Sequence, residues 1–164
     1  MRVDGNGCDV PIEWAHHLSH QGSLFGLSLS KSLSAAGTFM AHIKTPATKQ
    51  VHFVAVITSN LGGTLLFRRG DVIGETGTAK TAVNYNENSP NECLTEFLQD
   101  GTVDPAGVVL KTIIVGGGSP SSRIGGEGRI GTEYVLLPDT LYTLIFTADG
   151  NNTVTAMNID IYEV

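Results

Sequence analysis

The feature that most constrains this chain is the spacing of its apolar residues. From Ser23 onward they come in short bursts divided by Gly, Asn, Ser and Pro, the rhythm of strands and turns, and helix periods are scarce. Leu24–Ser30, Thr38–Ile43 and Val51–Ser59 read as successive strands, the last (VHFVAVITS) β-branched and aromatic enough to be central. Asn60-Leu61-Gly62-Gly63 then turns the chain into Thr64–Arg68, expected as the hairpin partner of Val51–Ser59. Gly74–Pro105 is polar and rich in Asn, Ser and Pro, and is expected to be a long loop. Within it Glu92–Gln99 fits a short helix capped by Ser89 or Asn91, and fits equally a strand leading to Thr102 and Val103.

Val108–Val115 is strand again, and Gly116–Gly131, with seven glycines in sixteen residues, reads as an irregular loop. The last third is the most regular: Glu133–Leu137, a Pro138-Asp139 turn, Leu141–Ala148, a turn at Asp149–Asn152, then Thr153–Glu163. In that final strand Thr155, Met157, Ile159, Ile161 and Glu163 form the more apolar set, so they are assigned to the core, with Val154, Ala156, Asn158, Asp160 and Tyr162 facing away. Some eight strands without crossover helices predict an all-β, antiparallel β-sandwich of jelly-roll type, residues 23–164. A length of 164 residues with 41% hydrophobic composition favours one such domain. Residues 1–22 carry no sustained strand or helix period and are expected to form an extended N-terminal arm.

Charge narrows the partners. Sixteen acidic against ten basic residues give a net charge of −6, and Arg68-Arg69 is the only adjacent basic pair, which opposes nucleic-acid binding. Met1–Val10 lacks the apolar core of a signal peptide, and no run approaches the roughly 18 residues of a membrane span. These features predict no membrane partner, and give no weight to the glycosylation pattern at Asn151-Asn152-Thr153. Cys8 and Cys93 are read as two free thiols.

No constellation of chemical residues is complete. His16, His17, His20, His42 and His52 all lie in the first third, and His16 with His20 has a metal-binding i, i+4 spacing, but the zincin Glu after the first His is missing. The histidines are assigned to packing and hydrogen bonding, and no metal or cofactor is expected. Gly126-Glu127-Gly128-Arg129-Ile130-Gly131 matches G-x-G-x-x-G without the required strand before it and helix after it. Neither cysteine has a basic neighbour that would activate it. Asp71 with Glu75, and Asp149 with Asp160, are the carboxylate pairs a glycosidase would need; Asp100–Asp104 and Asp139–Asn152 are oxygen-rich turns without EF-hand spacing. Any sandwich of this length offers such carboxylate pairs, the two turns are assigned to solvated residues, and no catalytic residue is named.

The segment Glu13-Trp14-Ala15-His16-His17-Leu18-Ser19-His20-Gln21-Gly22-Ser23-Leu24-Phe25 resembles the opening E-x-x-H-x-x-x-H-x-G-x-x-F of a group of tailed-bacteriophage structural proteins. Further agreement runs through Lys44-Thr45-Pro46 into Val51-His52-Phe53, Gly77-Thr78 with Tyr85–Ser89, Glu133–Leu137, Thr140-Leu141-Tyr142 and Ile159–Glu163. One departure is Pro138-Asp139, in place of a pair such as Gln-Asn. The resemblance implies a non-enzymatic virion component, a head decoration or cement protein with a jelly-roll-like fold. Its partners would be the major capsid protein or other virion proteins, on the outer surface of the capsid. A homo-oligomer, most naturally a trimer, is expected, with contacts made by residues 1–22 and 116–131. The alternative is a tail- or fibre-associated module that binds host carbohydrate through Trp14, Tyr85 and the Asn84–Asn91 loop.

Overall fold

The computed structural model describes residues 14–74, 77–117, 126–130 and 133–164. In chain order these form α1 (Trp14–His20), β1 (Leu24–Leu33), β2 (Thr38–Lys44), β3 (Val51–Ser59), β4 (Gly63–Arg69), β5 (Val72–Ile73), β6 (Thr78–Lys80), β7 (Val83–Asn84), β8 (Glu96–Gln99), β9 (Val103–Asp104), β10 (Val108–Val115), β11 (Gly126–Arg129), β12 (Tyr134–Leu136), β13 (Leu141–Ala148) and β14 (Thr153–Glu163). Period-two alternation decides which side chains go inside. In β3 Val51, Phe53, Ala55 and Ile57 are fully buried while His52, Val54, Val56 and Thr58 are partly exposed. β14 follows the predicted register: Thr155, Met157, Ile159, Ile161 and Glu163 are buried, and the intervening residues reach solvent.

The strands make two antiparallel sheets, one ordered β11-β3-β14-β1-β7 with β12 also on β3, the other ordered β10-β4-β13-β2-β8-β6. Consecutive long strands alternate between the sheets, except β4 and β10, which pair in the second. β1, β3 and β14 lie in the first, and β2, β4 and β13 in the second. With β10 on one sheet and β11 and β12 on the other, this is the topology of a jelly roll. The inner faces share one core, at whose centre Phe67 stacks on Phe53 at 5.2 Å and on Tyr142 at 5.7 Å, with Tyr134 edge-on at 5.2 Å.

This topology corrects the expected hairpin of Val51–Ser59 with Thr64–Arg68. β3 pairs with β14, β11 and β12, while β4 pairs with β13 and β10. The Asn60–Gly63 turn is short enough for a hairpin. It carries the chain across the sandwich instead, because each strand has one apolar face and the two faces are buried against each other. Gly62 takes φ +85° at this crossing, where an added Cβ would lie 2.9 Å from the Gly117 nitrogen and the Val115 oxygen.

Between β4 and β10 lies an insert, residues 70–107, which is more ordered than a loop. β6 and β8 extend the second sheet, β7 pairs with β1 at the edge of the first, and β5 pairs with β9. The ambiguous Glu92–Gln99 segment is strand over Glu96–Gln99 and has no helix. The glycine-rich segment also contains a strand, β11, where an irregular loop was expected. The expectation that residues 1–22 lack a helix period fails at Trp14–His20, whose Leu18 is buried against the sandwich; residues 1–13 lie outside the described residues.

Candidate contact faces and an insert-covered cleft

The outer face of the second sheet divides into a covered and an open half. Arg68, Thr143, His42 and Leu98 form a row across β4, β13, β2 and β8, and by alternation all point away from the core. The first three are nevertheless buried, because the insert folds over them. Arg68 and Asp71 make a buried pair, with Nε donating to both Asp71 oxygens at 3.0 and 2.8 Å; Nη2 donates to the Pro105 and Gly107 carbonyls. His42 Nε2 lies 2.7 Å from the Asp100 carbonyl oxygen and Nδ1 3.4 Å from Thr143 Oγ1. Burial holds the His42 pKa below its ordinary value, against the opposing pull of the Asp100 carbonyl and the Asp71 and Asp100 carboxylates. Beside these residues opens a cleft of about 410 Å³, walled by Val72, Ile73, Leu98 and Leu141 with Lys44 and Glu96 at its margin. Three of its polar groups are engaged elsewhere, since Lys44 pairs with Asp139 at 2.6 Å, Asp71 with Arg68, and His42 bonds the Asp100 carbonyl.

The other half of this sheet is open and its outward rows hold no charged residue, although the Lys31–Asp100 ion pair lies at their β2 edge against Thr38 and Met40. Its rows are Ile114–Thr64–Thr147–Thr38 and Thr112–Leu66–Ile145–Met40, with Ile114 72% exposed. The turns that close the same end of the sandwich, Ser34–Gly37, Asn60–Gly62 and Asp149–Asn152, contribute one charged residue, Asp149. Net charge is concentrated at the insert: residues 70–107 hold seven acidic residues and Lys80, a net of −6, equal to that of the whole chain. Counting charge by segment would have found this division in the sequence.

The first sheet's outer face is also open. At one end Tyr85 lies across Gly26, where an added Cβ would sit 2.3 Å from the tyrosine oxygen, and its hydroxyl donates to Asp160 at 2.6 Å. Burial, then this hydrogen bond, pushes the Tyr85 pKa up to about 12. Beside it His52 meets Tyr162 edge-on at 6.4 Å and bonds to Glu133.

The structure separates most residues singled out from the sequence. α1 carries His16, His17 and His20; His17 hydrogen-bonds Gln21 at 3.0 Å, while the side chains of His16 and Trp14 lie outside the described residues. Cys93 is a free thiol pushed up to about 12 by burial and by the neighbouring Glu163 carboxylate, and Cys8 lies outside the described residues. Glu163, which no motif marked, is a buried acceptor for Leu94 N, Thr95 N and Thr95 Oγ1 and pins the insert to β14. Asp71 bonds Arg68; Glu75, its supposed partner, is outside the described residues. Asp149 precedes β14 and Asp160 lies seven residues beyond its start, about 23 Å along the strand, too far apart to flank one glycosidic bond. Asp100 is taken by Lys31 and Asp139 by Lys44, and no metal-binding group of three forms among the described residues. Gly126–Arg129 runs as a strand along β3, with Gly131 outside the described residues. The loop asparagines face inward in their bonding: Asn84, Asn86 and Asn91 donate side-chain amides to carbonyls of residues 20–22 and so clamp the end of α1. Among the described residues no helix is long and apolar enough to cross a membrane.

No known family model matches the chain, and no curated protein matches it.

Proposed function

We propose that the protein is a non-enzymatic decoration protein of a tailed-phage head, seated on the major capsid protein by the open, sparsely charged half of its second sheet. The observation that carries this reading is the segregation of charge. One end offers Ile114, Leu66, Ile145 and Met40 among threonines, and the acidic insert sits toward the other. Interface centres are depleted of charged residues, and a net-negative surface left facing solvent keeps decorated particles apart. His42 and Cys93, the groups nearest to base and nucleophile chemistry, are held neutral and hydrogen-bonded inside the fold. Replacing Ile114 by Lys, a surface change at an exposed site, is expected to leave folding intact and to abolish rebinding to heads stripped of the protein. Full rebinding by that variant would rule out this seat.

The alternative, a carbohydrate-binding tail module, is favoured by one observation, the 53% exposed Tyr85 ring held on the sheet by Asp160. Against it, the side-chain amides of Asn84, Asn86 and Asn91 in this loop are committed to the backbone of residues 20–22 and 91. Glycan-array binding lost on Tyr85→Ala would favour this module; an unbound array would favour the capsid seat.

A further inference from the structure

The insert roofs the second sheet without filling the space beneath it. Two outward rows, Leu141–Lys44–Glu96 and Thr143–His42–Leu98, floor the cleft, and Val72 and Ile73 of β5 wall it. Two leucines on the outer face of a sheet, beside a valine that is 57% exposed, are apolar surface left in contact with water. At about 410 Å³ the cleft falls within the range of sites for small organic ligands, roughly 300 to 1,000 Å³. We infer that it binds a small molecule with an apolar body and one cationic group.

The ionisable side chains of the cleft select the charge. Asp71 is fully buried against Arg68 and also accepts from Gly107 N. His42 is bonded through both ring nitrogens, to the Asp100 carbonyl and to Thr143, and burial lowers its pKa. Lys44 stands opposite Glu96 in the strand register, yet its Nζ donates instead to the carbonyl and the carboxylate of Asp139, at 2.7 and 2.6 Å. Glu96 is left as an exposed carboxylate with no ion pair among the described residues. An anion would meet this carboxylate with Lys44 already committed to Asp139, and a neutral apolar molecule would strip water from it without replacing the lost hydrogen bonds. A cation compensates it, and the surrounding field favours one, because residues 70–107 carry a net charge of −6. A metal ion fits a single uncommitted carboxylate poorly, and no metal-binding group of three forms among the described residues.

Nuclear magnetic resonance of the isotope-labelled full chain tests this without any particle, so its outcome is separable from the capsid reading. The probes share a phenylethyl body and differ in charge: 2-phenylethylammonium, 2-phenylethanol and 3-phenylpropionate. The ammonium is expected to shift the amides of Val72, Ile73, Leu98 and Leu141 to saturation and to bind about tenfold more tightly than the alcohol, with the carboxylate weakest. Glu96→Gln, a change at an exposed site, is expected to remove the advantage of the ammonium and to leave the alcohol unchanged. Val72→Asn, which makes the exposed wall polar, is expected to weaken all three; circular dichroism shows whether each variant is folded, and the wild-type order of affinities decides the matter without either. The absence of saturable shifts in the millimolar range would overturn the inference. Equal affinities for ammonium and carboxylate, or an ammonium affinity unchanged in folded Glu96→Gln, would overturn it too. Saturation by the hexapeptide Gly-Gly-Leu-Lys-Gly-Gly but not by the ammonium would also overturn it, by assigning the cleft to a protein partner.

Discussion

Position within a strand sets the consequence of each side chain here. Ile159 is 1% exposed in the centre of β14, so Ile159→Asp buries an unpaired carboxylate and is expected to cost several kcal/mol, near or beyond the stability of a domain this size. Its neighbour Asp160 faces out and loses a single hydrogen bond from Tyr85 on Asp160→Ser, about 1 kcal/mol. Urea denaturation of the two variants checks the register, since equal losses would mean that the faces are interchanged. His42 adds a pH dependence. Its folded pKa lies below the ordinary 6.5, so as pH falls through 6.5 the unfolded chain takes up a proton that the folded one resists. Stability is therefore complete above pH 6.5 and declines below it until the lowered folded value is passed. His42→Gln is expected to flatten this part of a melting-temperature profile, and an unchanged slope would assign it to other groups. Nothing in the sequence marked His42 as buried, because alternation placed it on an outer face and only the insert, distant in sequence, covers it.

At the scale of elements, the strands were legible and their neighbours were not. Val51–Ser59, Val108–Val115, Leu141–Ala148 and Thr153–Glu163 are bounded where alternation and turn residues place them, because both signals are local. Pairing is decided by partners some hundred residues away, as with β3 on β14, and a short turn fits a sheet-crossing corner as well as a hairpin. The insert misled for a related reason. Its strands are two to four residues long and rely on side-chain anchors that a propensity reading cannot see. Arg68–Asp71 is one such anchor, with side chains 10% and 0% exposed. Asp71→Ala, which strands the buried guanidinium, is expected to cost about 3–5 kcal/mol, whereas Arg68→Met combined with Asp71→Leu is expected to cost much less. Thermal melts of the single and double variants distinguish an anchor from a dispensable surface pair. Similar losses in both would show that the pair's charge is itself needed.

For the whole molecule, the proposed seat depends on the separation of an open sheet face lined by Ile114, Leu66, Ile145, Met40 and threonines from the acidic bulk of the insert, on one jelly-roll frame. Contacts were expected in residues 1–22 and 116–131, most of which lie outside the described residues; the open sheet faces are exposed surface that no motif announces. Small side chains such as Ser30, Thr58 and Ala156 carry no chemical signature, and become a surface only when the sheet aligns them. A decoration protein coats a symmetric lattice and must be present at every equivalent site, whereas a host-recognition module occupies a few positions at one vertex or fibre. Copy number per particle, counted by quantitative mass spectrometry against the major capsid protein in purified virions, therefore separates decoration from host recognition. A decoration protein is expected at on the order of hundreds of copies, in a fixed ratio to the capsid subunit; a handful of copies per virion would contradict that role.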